Sequence, residues 1–483
     1  MKILFYMPFP ISRLFLYTQK LILWREKYMK TLINLLPVVL LFVLLLLESA
    51  LTGAPPIQWQ KTFGGSNPDE GRSVQQTSDG GYIITGFTSS FGPTDPNVYL
   101  IKTDPNGDIR WQKTFGGSGR DQGGSVQQTT DGGYIISGLT QSNGAGNWDV
   151  YLIKTDPNGN LQWQKTFGEA DSDEYGSSVQ QTTDGGYIIA GYTTSYGTGD
   201  TDVYLVKTDP NGDSKWQNTF GWINSEYGFS VQQTFDGGYV VAGYIWFSGG
   251  GVWDVYLIKT DPNGYLKWAK TFGGSGGDSG NSVQQTSDGG YVIVGYTNSF
   301  GAGYFDVYLV KTDPNGNSQW QKTFGGSDYD MGYSVQQTSD GGYIVAGYAG
   351  AVDSYRGGDF YIIKTDPDGN SAWQKTVGGG NREVGYSAQQ TEDGGYVIAG
   401  YTDSYGAGYA DVYLIKLCSD GTLSADFNCN GTVYYEDLAI LAFEWLQPPV
   451  MLFADIFPEF GDSIVNGFDF AAFANDWLQT TAP

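Results

Sequence analysis

Between residues 426 and 437 the chain places oxygen-bearing side chains at intervals that suit a hard cation. Asp426, Asn428 and Asn430 occupy the first, third and fifth positions of a calcium loop, Gly431 the sixth and Asp437 the twelfth. Calcium takes roughly six to eight oxygens and needs a sharp turn inside its loop, which glycine allows. Thr432 would add its backbone carbonyl, Val433 sits at the apolar eighth position, and an apolar-rich helix is expected over 436–446. A looser copy follows, in which Asp455 echoes Asp426 and Asp469 echoes Asp437. Asp462 and Glu459 are further oxygen donors there, in a lengthened stretch poor in ligands at its first positions. The expected cofactor is Ca2+, in the first loop above all.

Other chemistry is thinly signalled. The chain has no histidine, which removes Ser-His-Asp triads, Cys-His pairs and histidine-bearing zinc sites together. Carboxylates that could pair as in glycoside hydrolysis occur at Asp69/Glu70, Asp173/Glu174, Glu226, Asp328/Asp330 and Glu383. Acidic loop residues are expected to be solvated, so no catalytic residue is assigned. Cys418 and Cys429 suit an oxidising compartment and are close enough in sequence to pair.

The elements that must position these groups repeat. WQKTFGG at 59–65 returns from Trp111, Trp163, Trp216, Trp268, Trp320 and Trp373. Segments like SVQQT (73–77), DGGYIITG (79–86) and VYLIKTDPNG (98–107) recur with it, seven times each, at a period of 52 or 53 residues. Strand-like pieces at that period predict an all-β propeller of four-stranded blades. The copies are out of phase at the ends: the seventh VYLIK (412–416) lacks a Trp segment after it, and the first Trp segment stands alone in front. Residues 57–63 are therefore expected to complete the last blade and close the ring, protecting edges that an open array exposes. DGG should make one tight turn through the positive φ of its glycines, and DPNG the other. Trp59, Tyr82, Tyr99 and their counterparts read as packing between blades, and Gln75 and Gln76 as partners for backbone or channel hydrogen bonds.

Both tight turns fall at one end of every blade, so the variable connections share the other end. Loops on a rigid scaffold carry binding residues, and this end holds aromatics outside the repeat pattern: Trp148, Trp222, Trp246, Trp253, Tyr304 and Tyr409. They either hold sugar rings or a peptide, or pin long loops onto the blades.

Net charge is −25, and −29 without residues 1–54, which carry six Lys/Arg against two Glu. A nucleic-acid partner needs a basic surface and is excluded on that ground. Read from Met29, a charged flank at Lys30, an apolar run over 35–47 and small residues near Ala50 or Ala54 make 1–54 a signal peptide. The rival reading is a retained membrane anchor; the apolar run is shorter than the roughly 20 residues of a membrane span, which favours export, with no span expected after removal of the leader.

The WQKTFGG, DGGY and VYLIKTDPNG motifs resemble seven-bladed bacterial β-propeller repeats of exported proteins, over 57–417. After a linker at 418–424, residues 425–479 resemble a type I dockerin. That resemblance implies a small α-helical, EF-hand-like calcium-binding module with Asp426, Asn428, Asn430, Thr432 and Asp437 as first-loop ligands, docking onto a cohesin-like partner. The positions of the usual recognition pair hold Tyr435-Glu436 and Gly467-Phe468, a departure from the family pattern. The expectation is a secreted or cell-surface binding or scaffold protein with a glycan or peptide ligand, attached through its tail to an assembly in polysaccharide breakdown. The alternatives are a polysaccharide-active enzyme using loop carboxylates and a purely architectural surface protein.

Overall fold

The computed structural model describes residues 53–92, 96–170, 172–247, 251–350 and 357–422, with Asp426 and Cys429. The leader up to residue 52, the remaining calcium-loop positions (Asn428, Asn430, Thr432, Asp437, Asp455, Asp462, Asp469) and the expected helices lie outside the described residues. Among the described residues no helix is long and apolar enough to cross a membrane.

Residues 57–417 form seven four-stranded antiparallel sheets. In blade 1 the strands run, from the channel outwards, Asp69–Gln76, Tyr82–Thr88, Asn97–Thr103 and Ile109–Phe115. Blade 7 contributes Glu383–Gln390, Tyr396–Thr402 and Asp411–Leu417, and takes Ile57–Phe63 as its outer strand. Thr62 lies opposite Tyr413, and the Tyr413 hydroxyl bonds Gln60 at 2.5 Å. The offset of the repeats is thus a covalent instruction for closure: one sheet is sewn from both ends of the ring.

The second and third strands of each blade are buried almost throughout, because neighbouring sheets cover both faces. Trp59 meets Tyr82 edge-on with ring centres 5.6 Å apart, and the same pair recurs in every blade.

The inner strands join the blades through SVQQT. The first glutamine accepts from the backbone N–H three residues past the serine of the next blade, as Gln75 does from Gln128, and all seven such bonds form. The serines make a second belt of seven, as from Val126 N–H to Ser73 Oγ. The second glutamines make a third, as from Ser78 N–H to Gln128. Buried backbone donors are costly to leave unpaired, so these three side chains recur without change.

The two tight turns hold as expected, with one correction. In DGG only the first glycine takes positive φ (Gly80, 79°). Gly81 is required because a Cβ would strike the Thr103 carbonyl and the Lys102 ammonium. That ammonium, on a buried lysine, binds Asp79 at 2.9 Å, and each blade repeats the clasp.

Candidate functional site

At the variable end the channel widens into a cavity of about 740 Å³. At the other end it narrows to a ring of Val74 and Gln75 with their counterparts, around about 240 Å³. One feature of the inner strands builds the mouth. In every blade the pairing between inner and second strand slips by one residue, between Gly71 and Ser73 in blade 1 and at the same place in the others. Such a bulge bends the strand and re-aims a side chain. The glycine before it faces a glycine across the strands, Gly71 opposite Gly86. A Cβ on Gly86 would run into the Glu70 carbonyl.

The bulged residues are Arg72, Gly124, Ser177, Phe229, Asn281, Tyr333 and Tyr386, and all seven line the cavity. No two adjacent blades share a residue here until Tyr333 and Tyr386, although the flanking glycine and serine never change. A second tier comes from the residue after the second-strand glycine: Leu139, Tyr192, Tyr244 and Tyr296 line the cavity from it. Aromatic contacts run around blades 3 and 4: Tyr175 stacks on Tyr192 at 4.5 Å, Tyr192 meets Tyr227 at 4.8 Å, and Tyr227 stacks on Tyr244 at 4.6 Å. Beside these rings Gln122, Gly124 and Ser177 of blades 2 and 3 line the cavity with small or polar groups. Planar apolar faces next to amide and hydroxyl groups can orient a ligand.

Of the six aromatics singled out from the sequence, only Trp148 lines the mouth, 6.2 Å from Tyr175. Trp246 and Trp253 stack on each other at 5.2 Å, on a hairpin longer than its counterparts, and Trp253 lies over Gly277 of the next blade. Tyr304 stacks on Tyr329 at 5.2 Å. These three hold loops, as a packing role requires. Trp222 and Tyr409 are exposed, at 73% and 82%, and neither lines the cavity. The bulged residues were missed, although a G-x-S motif with a changing middle residue in all seven copies would have marked them.

The acidic residues need a correction. Asp69, Glu174, Glu226, Asp330 and Glu383 are buried rather than solvated. Each is the first or second residue of an inner strand, and with Asp121 and Asp278 they put one carboxyl at every seam between blades. They accept from backbone N–H and hydroxyl groups, as Glu383 does from Gly379 N–H at 2.9 Å and Thr402 at 2.6 Å. A second acid from the preceding blade faces most of them: a Cβ on Gly221 would strike both Asp202 and Glu226. Blade 4 sets Ile245 opposite Glu226 where blade 3 sets Thr193 opposite Glu174. Burial, with Asp202 nearby and only a weak bond from Trp222 N–H opposing, pushes the Glu226 carboxyl up to about 7. Blade 6 has Ala349 at that position. There burial first, and then the charges of Asp306 and Asp328, push Asp330 up to about 6. Sealed inside the seams, these acids have no path to a polysaccharide.

Cys418 and Cys429 are joined by a disulfide, with Cα atoms 5.6 Å apart. Asp426 is buried and Cys429 N–H donates to its carbonyl at 3.3 Å. The other positions of the expected calcium loops lie outside the described residues. Among the described residues no group of three or more acidic, cysteine or histidine side chains gathers as a metal site would.

No family model matches the chain. Over 283 residues, 51% of its length, it is 26% identical to the regulatory protein FlaEY of Caulobacter vibrioides. It spans only 29% of that relative's length. Among solved structures it is similar to the WD40 domain of Neurospora crassa Pan2, with a TM-score of 0.44, 12% identity, and 73% and 89% of the two chains covered. Chaetomium thermophilum Sqt1 bound to the N-terminus of ribosomal protein L10 gives a TM-score of 0.42 at 11% identity, covering 70% of this chain and 84% of that one. The seven-bladed assignment stands on the chain's own strand pairing.

Proposed function

We propose that this is an exported, non-catalytic binding protein whose ring presents its mouth to a ligand. Its tail, 425–479, is a calcium-dependent dockerin-like module that attaches it to a cell-surface or extracellular assembly through a cohesin-like partner. The observation that carries the binding role is the tier of seven bulged residues. The scaffold is held constant from blade to blade while one inward residue per blade changes, which is how a rigid frame is given a particular specificity. The absence of histidine and the burial of the seam acids favour binding over turnover. A glycan or a peptide fits the cavity's chemistry, and a polysaccharide-degrading assembly is the setting that the tail suggests.

The test compares wild type with Phe229→Ala and Tyr333→Ala at the mouth, and with Tyr265→Ala at the uniform end, against glycan and peptide arrays. Mouth variants should lose a wild-type signal by about tenfold or more, as truncating a central aromatic does, and Tyr265→Ala should keep it. Equal loss in all three, or in none, would reject the mouth as the binding surface.

A further inference from the structure

The position just before each seam acid carries opposite charges on two sides of the ring. Arg382 precedes Glu383, and Asp173 precedes Glu174. Both make the same backbone bridge to the preceding blade, Arg382 to Gly358 and Asp173 to Trp148. At the first site the guanidinium lies 5.3 Å from the Tyr348 ring centre and 5.9 Å from that of Tyr401. The variable end of the ring therefore already holds one guanidinium against tyrosine rings, outside the cavity lining, and it is the protein's own. At the second site Tyr192 stands where Tyr401 stands, Tyr175 stacks on it, and Trp148 replaces the glycine. No cation is there. Asp173 instead has a buried Oδ1 without a hydrogen-bond partner among the described residues. Its backbone is tied to Thr194 through both N–H and carbonyl. The Tyr175 and Tyr192 hydroxyls are harder to ionise, chiefly through burial and in part through the Asp173 charge, which places that charge beside both rings.

Aromatic faces attract cations, more so with a carboxylate behind them, and a planar guanidinium stacks where an ammonium only points. An overall charge of −25 steers cations towards the chain. We infer that the wall of the mouth formed by Trp148, Tyr175 and Tyr192, with Asp173 behind the rings, binds an organic cation, the guanidinium of an arginine side chain on a peptide or protein partner. The inference rests on the mouth being the ligand surface and names the ligand's chemistry there.

The experiment titrates the full-length protein with acetyl-arginine amide, its neutral counterpart acetyl-citrulline amide, a Gly/Ser peptide bearing one arginine, and a neutral cello-oligosaccharide, by ligand-observed NMR. Saturable binding of the arginine compound is expected, about tenfold weaker or absent for citrulline. Tighter binding of the peptide identifies a polypeptide source, and equal binding of both a free small cation. Asp173→Asn and Tyr192→Ala should each weaken the arginine compound about tenfold, while Tyr192→Phe, which keeps the ring, should retain most of the affinity. A thermal midpoint within a few degrees of wild type shows that each variant is folded. Equal binding of citrulline, or full affinity in Asp173→Asn, overturns the assignment. Oligosaccharide binding without arginine binding overturns it too and leaves the mouth as a glycan site. Arginine binding undiminished by every mouth variant overturns both.

Discussion

At the scale of single residues, the same backbone slot does different work according to what stands opposite it. Where a threonine faces the seam acid, as Thr402 faces Glu383, the carboxyl has a hydroxyl donor. Where Ile245 faces Glu226, it has none, and its carboxyl is raised to about 7. A carboxyl with a raised folded value gives stability that is full below the ordinary glutamate range and is lost as pH rises through the folded value. Thermal midpoints measured from pH 5 to 8 should therefore fall more steeply in wild type than in Glu226→Gln, with Gln the more stable at pH 8. The DGG aspartates run the other way. Burial alone would raise Asp79, but bonds from Thr77, Lys102 and Gly81 N–H outweigh it and hold it at about 2. That contribution is present above the ordinary aspartate range and is lost as pH falls towards 2. Asp79 is more than half exposed, so its share is small. Asp79→Ala should cost about 1 kcal/mol at pH 7 in denaturant unfolding, largely through the buried Lys102 left behind.

At the scale of elements, much was legible. The two turns and the four strands of each blade read directly from DGG, DPNG and the apolar runs, because tight turns have few chemical solutions. The role of Ile57–Phe63 was legible from the phase of the repeats. The bulge was not, for a physical reason: it is defined by counting residues across two strands, and the chain shows only one strand at a time. Ser73 marked the start of the uniform run, and the residue that mattered was the one before it. The loop aromatics misled for a related reason, since an exposed ring and one laid over a neighbouring loop, as Trp253 is over Gly277, look alike in sequence. Trp59 on the closing strand packs on Tyr82 and over Gly107 of blade 1. Its truncation should cost about 3 kcal/mol and lower the thermal midpoint by several degrees, and the equivalent change at Trp268, inside a contiguous blade, should affect closure less. Equal effects of the two, measured as protease sensitivity at residues 53–63, would contradict a special role for the seam.

At the scale of the whole molecule, stability is shared round a loop of interactions rather than concentrated in one core. Three belts of seven bonds pass from blade to blade, including across the junction of blades 7 and 1. Gln75→Ala removes one bond of twenty-one equivalents and should cost about 1 kcal/mol, with cooperative unfolding retained. The calcium-loop reading predicts that EDTA raises protease sensitivity beyond residue 425 and leaves the ring's unfolding transition in place. Uniform protection with and without chelator would count against calcium there.

The closing strand also carries a consequence for assembly. Gln60 lies 353 positions from its partner Tyr413, so a growing chain makes its first strand long before the berth for it exists. Until then that strand is a loose tongue and the seventh blade an open groove, and a neighbouring copy offers the same groove. At high concentration during refolding, tongues should enter the wrong grooves, linking molecules into chains that dilution after folding does not undo. Adding a synthetic peptide of residues 54–65 in excess should cap those grooves and yield monomers.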